Sequence, residues 1–234
     1  MKEIFDRIIQ KIVELLERLA QLIDKMRQAA EILLQWLPVY LSYLTGKIRD
    51  AVEAAASAIL TFIQWAQEQL KWVGSPGQLS AAATTWLADV GQPSAQQSYL
   101  VDKTELEVDD HWKGEAAQRY VEVLPNQSAA LSSILDNGAQ PVADALNKAG
   151  NAIIGYWTAF SVALGAFIGT SVAAVVATSV TFGASLAIIL VAAGVAFAAI
   201  FTADKLAVNQ MDQAGLLIRG AEAKLRGQWP TFVQ

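Results

Sequence analysis

The side chains able to move protons, attack a substrate or hold a metal are few in this sequence and badly grouped for those tasks. There is one histidine, His111, and no cysteine. Thiol nucleophiles, disulfides and cysteine–zinc centres are therefore excluded, and one imidazole cannot form a histidine metal cluster. As a general base His111 needs a serine nucleophile and an orienting acid, but the chain has no G-x-S-x-G elbow. Asp109 and Asp110 could form a carboxylate pair, yet adjacent acids near a helix start more simply stabilise its positive end. There is no P-loop and no G-x-G-x-x-G after a strand, and Gly183 and Gly194 are embedded in apolar helical sequence. The chain is thus expected to be no enzyme, with no catalytic residue, no cofactor and no metal site. A formal charge of −5 and a pI near 4.9 argue equally against a nucleic-acid partner.

A motif of another kind stands at Trp112-Lys113-Gly114, between two long helical stretches. It continues into Glu115-Ala116-Ala117-Gln118-Arg119-Tyr120 and then Leu131, Ile134 and Leu135. A large aromatic at such a place can plug the open end of an antiparallel helical hairpin. Glycine permits a backbone conformation or close approach that a side chain would block. The alanines let the second helix start tight against the first. A second W-x-G, Trp72-Val73-Gly74, runs into Ser75-Pro76-Gly77 and is not expected to continue as helix at once.

Through Trp112, Gly114, Ala116, Ala117 and Tyr120, residues 78–150 resemble the W-x-G superfamily of type VII (ESX) secretion substrates. The resemblance implies a helix–turn–helix hairpin with W-x-G at the turn, export from a bacterium to the exterior or cell envelope, and pairing of hairpins into four-helix bundles. Such substrates commonly carry a Tyr-x-x-x-Asp/Glu export signal. Here the residues four positions after each tyrosine are Leu44, Lys47, Lys103, Leu124 and Phe160, so none completes it. The resemblance then implies a second helical secretion substrate that carries the signal. Lys2, Glu3, Asp6 and Arg7 leave no early apolar run for a cleaved signal peptide.

The elements that must position this motif read as helices throughout. Phe5, Ile8, Ile12, Leu15, Leu19, Leu22, Met26, Ala29, Leu33 and Trp36 alternate steps of three and four, an unbroken a/d seam over residues 3–37. Ile9, Leu16, Ile23, Ala30 and Leu37 widen it to the face of a bundle helix. Its opposite face alternates in charge sign and reads as solvated. The exposed seam, with Ile8, Ile12, Leu15, Leu19, Leu22, Met26 and Leu33, suits packing against another chain, whether a second copy or a partner. Pro38 interrupts it, and a second, alanine-rich helix is expected over 39–73. A third starts near Gln78, is disturbed at Gly91-Gln92-Pro93, and resumes through Tyr99 and Leu106. Another runs from near Trp112 to Asn151, with kinks or restarts at Pro125 and Pro141. A last amphipathic helix is expected from Asp204 to Arg226.

Charge is 17% of the chain, short of the roughly 25% usual in soluble domains. The shortage is local: the 55 residues between Lys148 and Asp204 carry none. Thr158–Ala203 divides at Val180/Thr181 into two runs of 23 residues. As a helix each run is roughly 34 Å long, enough to cross a hydrocarbon core of ~30 Å. Ser179, Thr181, Phe182 and Gly183 are the expected turn, and Gly165 and Gly169 form a G-x-x-x-G helix-contact motif. Such a hairpin could span a membrane, be sheltered in a soluble bundle until released onto one, or be buried permanently in an assembly. Phe167, Ile188, Leu190 and Phe197 join the two glycines as the residues expected to touch lipid or a neighbouring subunit.

The sequence therefore predicts an all-α protein, an elongated bundle of antiparallel helical hairpins of which one is hydrophobic. The expected segments are an amphipathic helical pair (1–74), a W-x-G-like hairpin (75–150), a hydrophobic hairpin (151–203) and a C-terminal amphipathic helix (204–234). The expected function is that of a non-enzymatic, type VII-like secretion substrate acting by oligomeric assembly or membrane insertion. The alternatives are a helical pore-forming toxin component unconnected with that export route, and a structural subunit of a filament or shell.

Overall fold

The apolar seam of the first helix decides where the main core lies. In the computed structural model, which describes residues 2–36, 42–101, 112–176 and 178–228, α1 (Lys2–Gln35) is continuous, and α2 (Leu44–Leu70) packs against it. Ile12, Leu19 and Leu22 are almost wholly buried, with Leu15 and Met26 nearly so, while Ile8 and Leu33 are partly covered. The seam is therefore not an open surface awaiting another chain. It is filled by this chain's own α2 and by residues of the uncharged stretch, including Trp157, Phe160, Leu164, Phe167 and Ile168. The reason is economy of apolar area: each buried Leu or Ile side chain contributes roughly 1.5–3 kcal/mol, and the uncharged stretch supplies a matching apolar face.

The remaining elements are α3 (Pro76–Thr85), a π-helical turn (Trp86–Gly91), α4 (Gln92–Leu100), α5 (Glu115–Ile134), a second π-helical turn (Leu135–Ala139), α6 (Gln140–Val176) and α7 (Thr178–Gln228). Every regular element among the described residues is helical, so the protein is an all-α bundle. The helices gather into two compact units: Lys2–Gly74 with Ile153–Ala207, and Ser75–Ala152 with Val208–Gln234. Neither the hydrophobic hairpin nor the C-terminal helix is set off by a helix break. α6 runs through residue 151 to Val176, and α7 runs through residues 203 and 204 to Gln228. Ser179, Thr181, Phe182 and Gly183 lie in the first turns of α7 rather than in a loop, since Ser and Thr suit the start of a helix as well as they suit a turn.

In the second unit the buried apolar side chains are mostly alanines, among them Ala83, Ala117, Ala130, Ala139, Ala143 and Ala214. Small side chains bring the helices close, and Ser128 Oγ donates across the hairpin to the Ser98 carbonyl at 2.9 Å. The two π turns pack on each other. Gly91 makes the contact possible, because a Cβ there would lie 2.6 Å from Leu135 Cδ1 and 2.8 Å from Ala139 Cβ. The expected disturbance at 91–93 and the restart at Pro141 are these π turns. Pro93 and Pro141 each follow a π turn closely. A π turn displaces the carbonyl that a proline ring would otherwise strike, so the helix continues through the proline. Pro125 lies on the exposed side of α5 without ending it.

Candidate functional site

Three features stand out from the helical scaffold. The first is the outward face of the hydrophobic hairpin. α6 and α7 meet the α1–α2 pair along Phe160, Leu164, Phe167, Ile168, Ile189 and Ile200. On their other side lies an open groove of about 970 Å³ between Val162 and Ala166 of α6 and Ile188, Val191 and Val195 of α7. Among the described residues no charged side chain lines it, and the polar side chains on it are Thr158 and Thr170. Thr158 Oγ1 donates to the Ile154 carbonyl at 2.7 Å, which satisfies its hydroxyl within the helix. Val195 is 65% exposed although nothing about it is polar. α6 and α7 are both long and apolar enough to cross a membrane, and only 17% of the most apolar window of α7 is buried.

The structure separates the hairpin residues singled out in the sequence. Phe167 is buried in the core, while Ile188, Leu190 and Phe197 are exposed. Gly165 faces α1, where a Cβ would sit 3.9 Å from Leu15 Cδ1, and among the described residues no atom lies within 4 Å of a Cβ placed at Gly169.

The second feature is the W-x-G turn. Gly114 precedes α5 with φ +117° and ψ −178°, a region that L side chains rarely enter. Among the described residues nothing lies within 4 Å of where its Cβ would be, so the backbone angle is the constraint. Trp112 is 46% exposed, and its ring tilts against Tyr120 one turn into α5, with centroids 5.7 Å apart. Ala117 is buried and Ala116 exposed, so one alanine of the pair serves the close start of the helix. The second motif behaves alike. Gly74 has φ +78°, Trp72 is exposed, and α3 begins at Pro76 without delay, because proline is preorganised for the first helical position. Gly74 and Gly114 are the only positive-φ residues described. Asp109, Asp110 and His111 lie outside the described residues.

The third feature was not anticipated from the sequence. At the base of the hairpin a cleft of about 720 Å³ opens between Phe62 and Trp65 of α2, Tyr156 of α6, and Phe197, Phe201 and Asp204 of α7. Phe62 meets Phe197 edge to face at 4.9 Å, and Trp65 lies 5.7 Å from Phe62. Burial, with the nearby Asp204 charge, raises the Tyr156 phenol above its ordinary pKa. Lys205 Nζ rests 4.5 Å from the Phe201 ring centroid. Spacing held the signal: Phe62 and Trp65 are three residues apart on one helix, and Phe197, Phe201 and Asp204 follow steps of four and three on another.

Comparison with known proteins adds no relative: no family model, no curated protein and no solved structure matches the chain.

Proposed function

We propose that the protein is non-enzymatic and acts on membranes through the hydrophobic hairpin of α6 and α7. One observation carries this reading. The hairpin is covered on one face by α1 and α2, and its other face presents a groove without charge. Val162, Ile188, Val191 and Val195 all stand exposed along it, and a bilayer is a partner as apolar as this groove. Release of dye from liposomes tests it. Ala166→Asp and Val195→Asp alter exposed positions, so both variants should keep the melting temperature of the native chain while losing leakage. Equal leakage by all three proteins, or none by the native chain, overturns the reading.

The route to a membrane is proposed from the W-x-G turn. The similarity of residues 78–150 to type VII substrates, and the glycine-dependent backbone at Gly114, support export with a helical partner that supplies the signal. Trp112→Ala combined with Gly114→Ala should abolish secretion in a type VII-competent bacterium while leaving liposome leakage by purified protein in place. Unimpaired secretion would leave a membrane-active protein with another way out of the cell.

A further inference from the structure

We propose that the cleft at the base of the hairpin binds a quaternary ammonium group, supplied by the choline headgroup of a lipid or by a free choline-like cation. The ring faces of Trp, Tyr and Phe attract cations through their quadrupoles, most strongly where water is excluded. Here Phe62, Trp65, Tyr156, Phe197 and Phe201 border one cleft in which, among the described residues, Asp204 is the one carboxylate and Thr61 and Gln69 are the other polar side chains besides the Tyr156 phenol. A metal ion is a poor match, since one carboxylate falls well short of the six to eight oxygens that calcium takes. A primary ammonium, strongly hydrated and with three hydrogen bonds to place, is also poorly matched by aromatic walls. A trimethylammonium group donates no conventional hydrogen bond and suits aromatic faces backed by one negative charge.

The position in the chain fits the same ligand. Asp204 is the first charged residue after the 55 uncharged ones, so the cleft lies where the apolar run ends. Aromatic side chains concentrate at that level when a helix enters a bilayer. The lipid form of the ligand rests on the membrane reading above. The free form does not.

Calorimetric titration of the full chain with tetramethylammonium, with choline and with 3,3-dimethylbutan-1-ol, the uncharged isostere of choline, tests the proposal. Tetramethylammonium should bind, and choline should bind about tenfold more tightly than the isostere. Asp204→Asn should erase that preference, and Phe201→Leu should weaken choline binding severalfold, both with an unchanged melting temperature. No binding of tetramethylammonium, equal binding of choline and isostere, or a preference intact in Asp204→Asn overturns it. Competition then names the source. Displacement of choline by phosphatidylcholine vesicles, but not by phosphatidylglycerol vesicles, identifies a headgroup site. Choline binding indifferent to both identifies a free ligand. The two proposals fail separately: choline binding without leakage removes the membrane reading alone, and leakage without choline binding removes the cleft alone.

Discussion

Arg27 on α1 grips Glu53 on α2 through two charge-assisted hydrogen bonds, Nε to Oε1 at 2.9 Å and Nη2 to Oε2 at 2.7 Å. One turn further along, the polarity reverses: Glu31 on α1 accepts from Arg49 on α2 at 3.3 Å. Swapped charges at successive turns fix an antiparallel register, because a slip of one turn would set Arg27 against Arg49.

The hydrogen bonds from Arg27 hold the Glu53 carboxyl below the ordinary carboxylate range. A depressed carboxylate stabilises the fold above its unfolded pKa of about 4.3, and that contribution is lost as the pH falls further. The native chain should therefore melt above Glu53→Gln at pH 7, and the gap should close as the pH falls through the lowered carboxyl pKa. A gap that does not change with pH would show that the carboxylate charge is not its source.

Burial separates two substitutions in the same hairpin. Phe160 is fully buried among Phe62, Trp65 and Trp157, and Phe160→Ala should cost about 3–5 kcal/mol in denaturant unfolding. Val195→Ala, on the open groove, should lie within about 0.5 kcal/mol of the native chain. Comparable losses at both positions would mean that the groove is covered in solution.

Gly91 is the contact point of the two π turns. Gly91→Ala should destabilise its unit by about 1–3 kcal/mol through overpacking on Leu135 and Ala139. Adding Ala139→Gly removes one of the two clashing groups and should restore part of the loss. Strict additivity in a double-mutant cycle would deny that the two residues touch.

At Gly114 the cost is conformational. Gly114→Ala should lose about 1–3 kcal/mol from the positive φ alone. Trp112→Ala at the same turn should cost less, because its ring is about half in water. A larger loss from Trp112→Ala, read by chemical denaturation, would point to the role of a hairpin plug.

Much of the helical skeleton was legible because heptad spacing is a local signal. Spacing alone puts Ile12, Leu19 and Leu22 on one apolar face, and they are among the most buried side chains. What fills that face was not legible. A seam reads the same whether its partner is another chain or residues far along its own, and Phe160 and Leu164 stand more than 120 positions away. The disturbances expected at Pro93 and Pro141 are where the two π turns fall, but that the turns pair was not legible. Asp89, Gly91, Gln92 and Pro93 recur in kind as Asp136, Gly138, Gln140 and Pro141, and this repeat marks paired π turns rather than interruptions. The aromatic cleft was legible only in part: spacing groups its rings on α2 and on α7, but nothing local says that these two helices and Tyr156 of α6 meet.

The core of the α1–α2 unit is assembled from the start of the chain and from residues beyond Ile153. During synthesis, at roughly 5–20 residues per second, the segment that completes it follows the α1–α2 pair by on the order of ten seconds. Until then Ile12, Leu19 and Leu22 have only α2 to cover them. A nascent chain at that stage is an amphipathic hairpin with its greasy side open, and it is then that a chaperone, or a neighbouring copy on the same messenger, would find it.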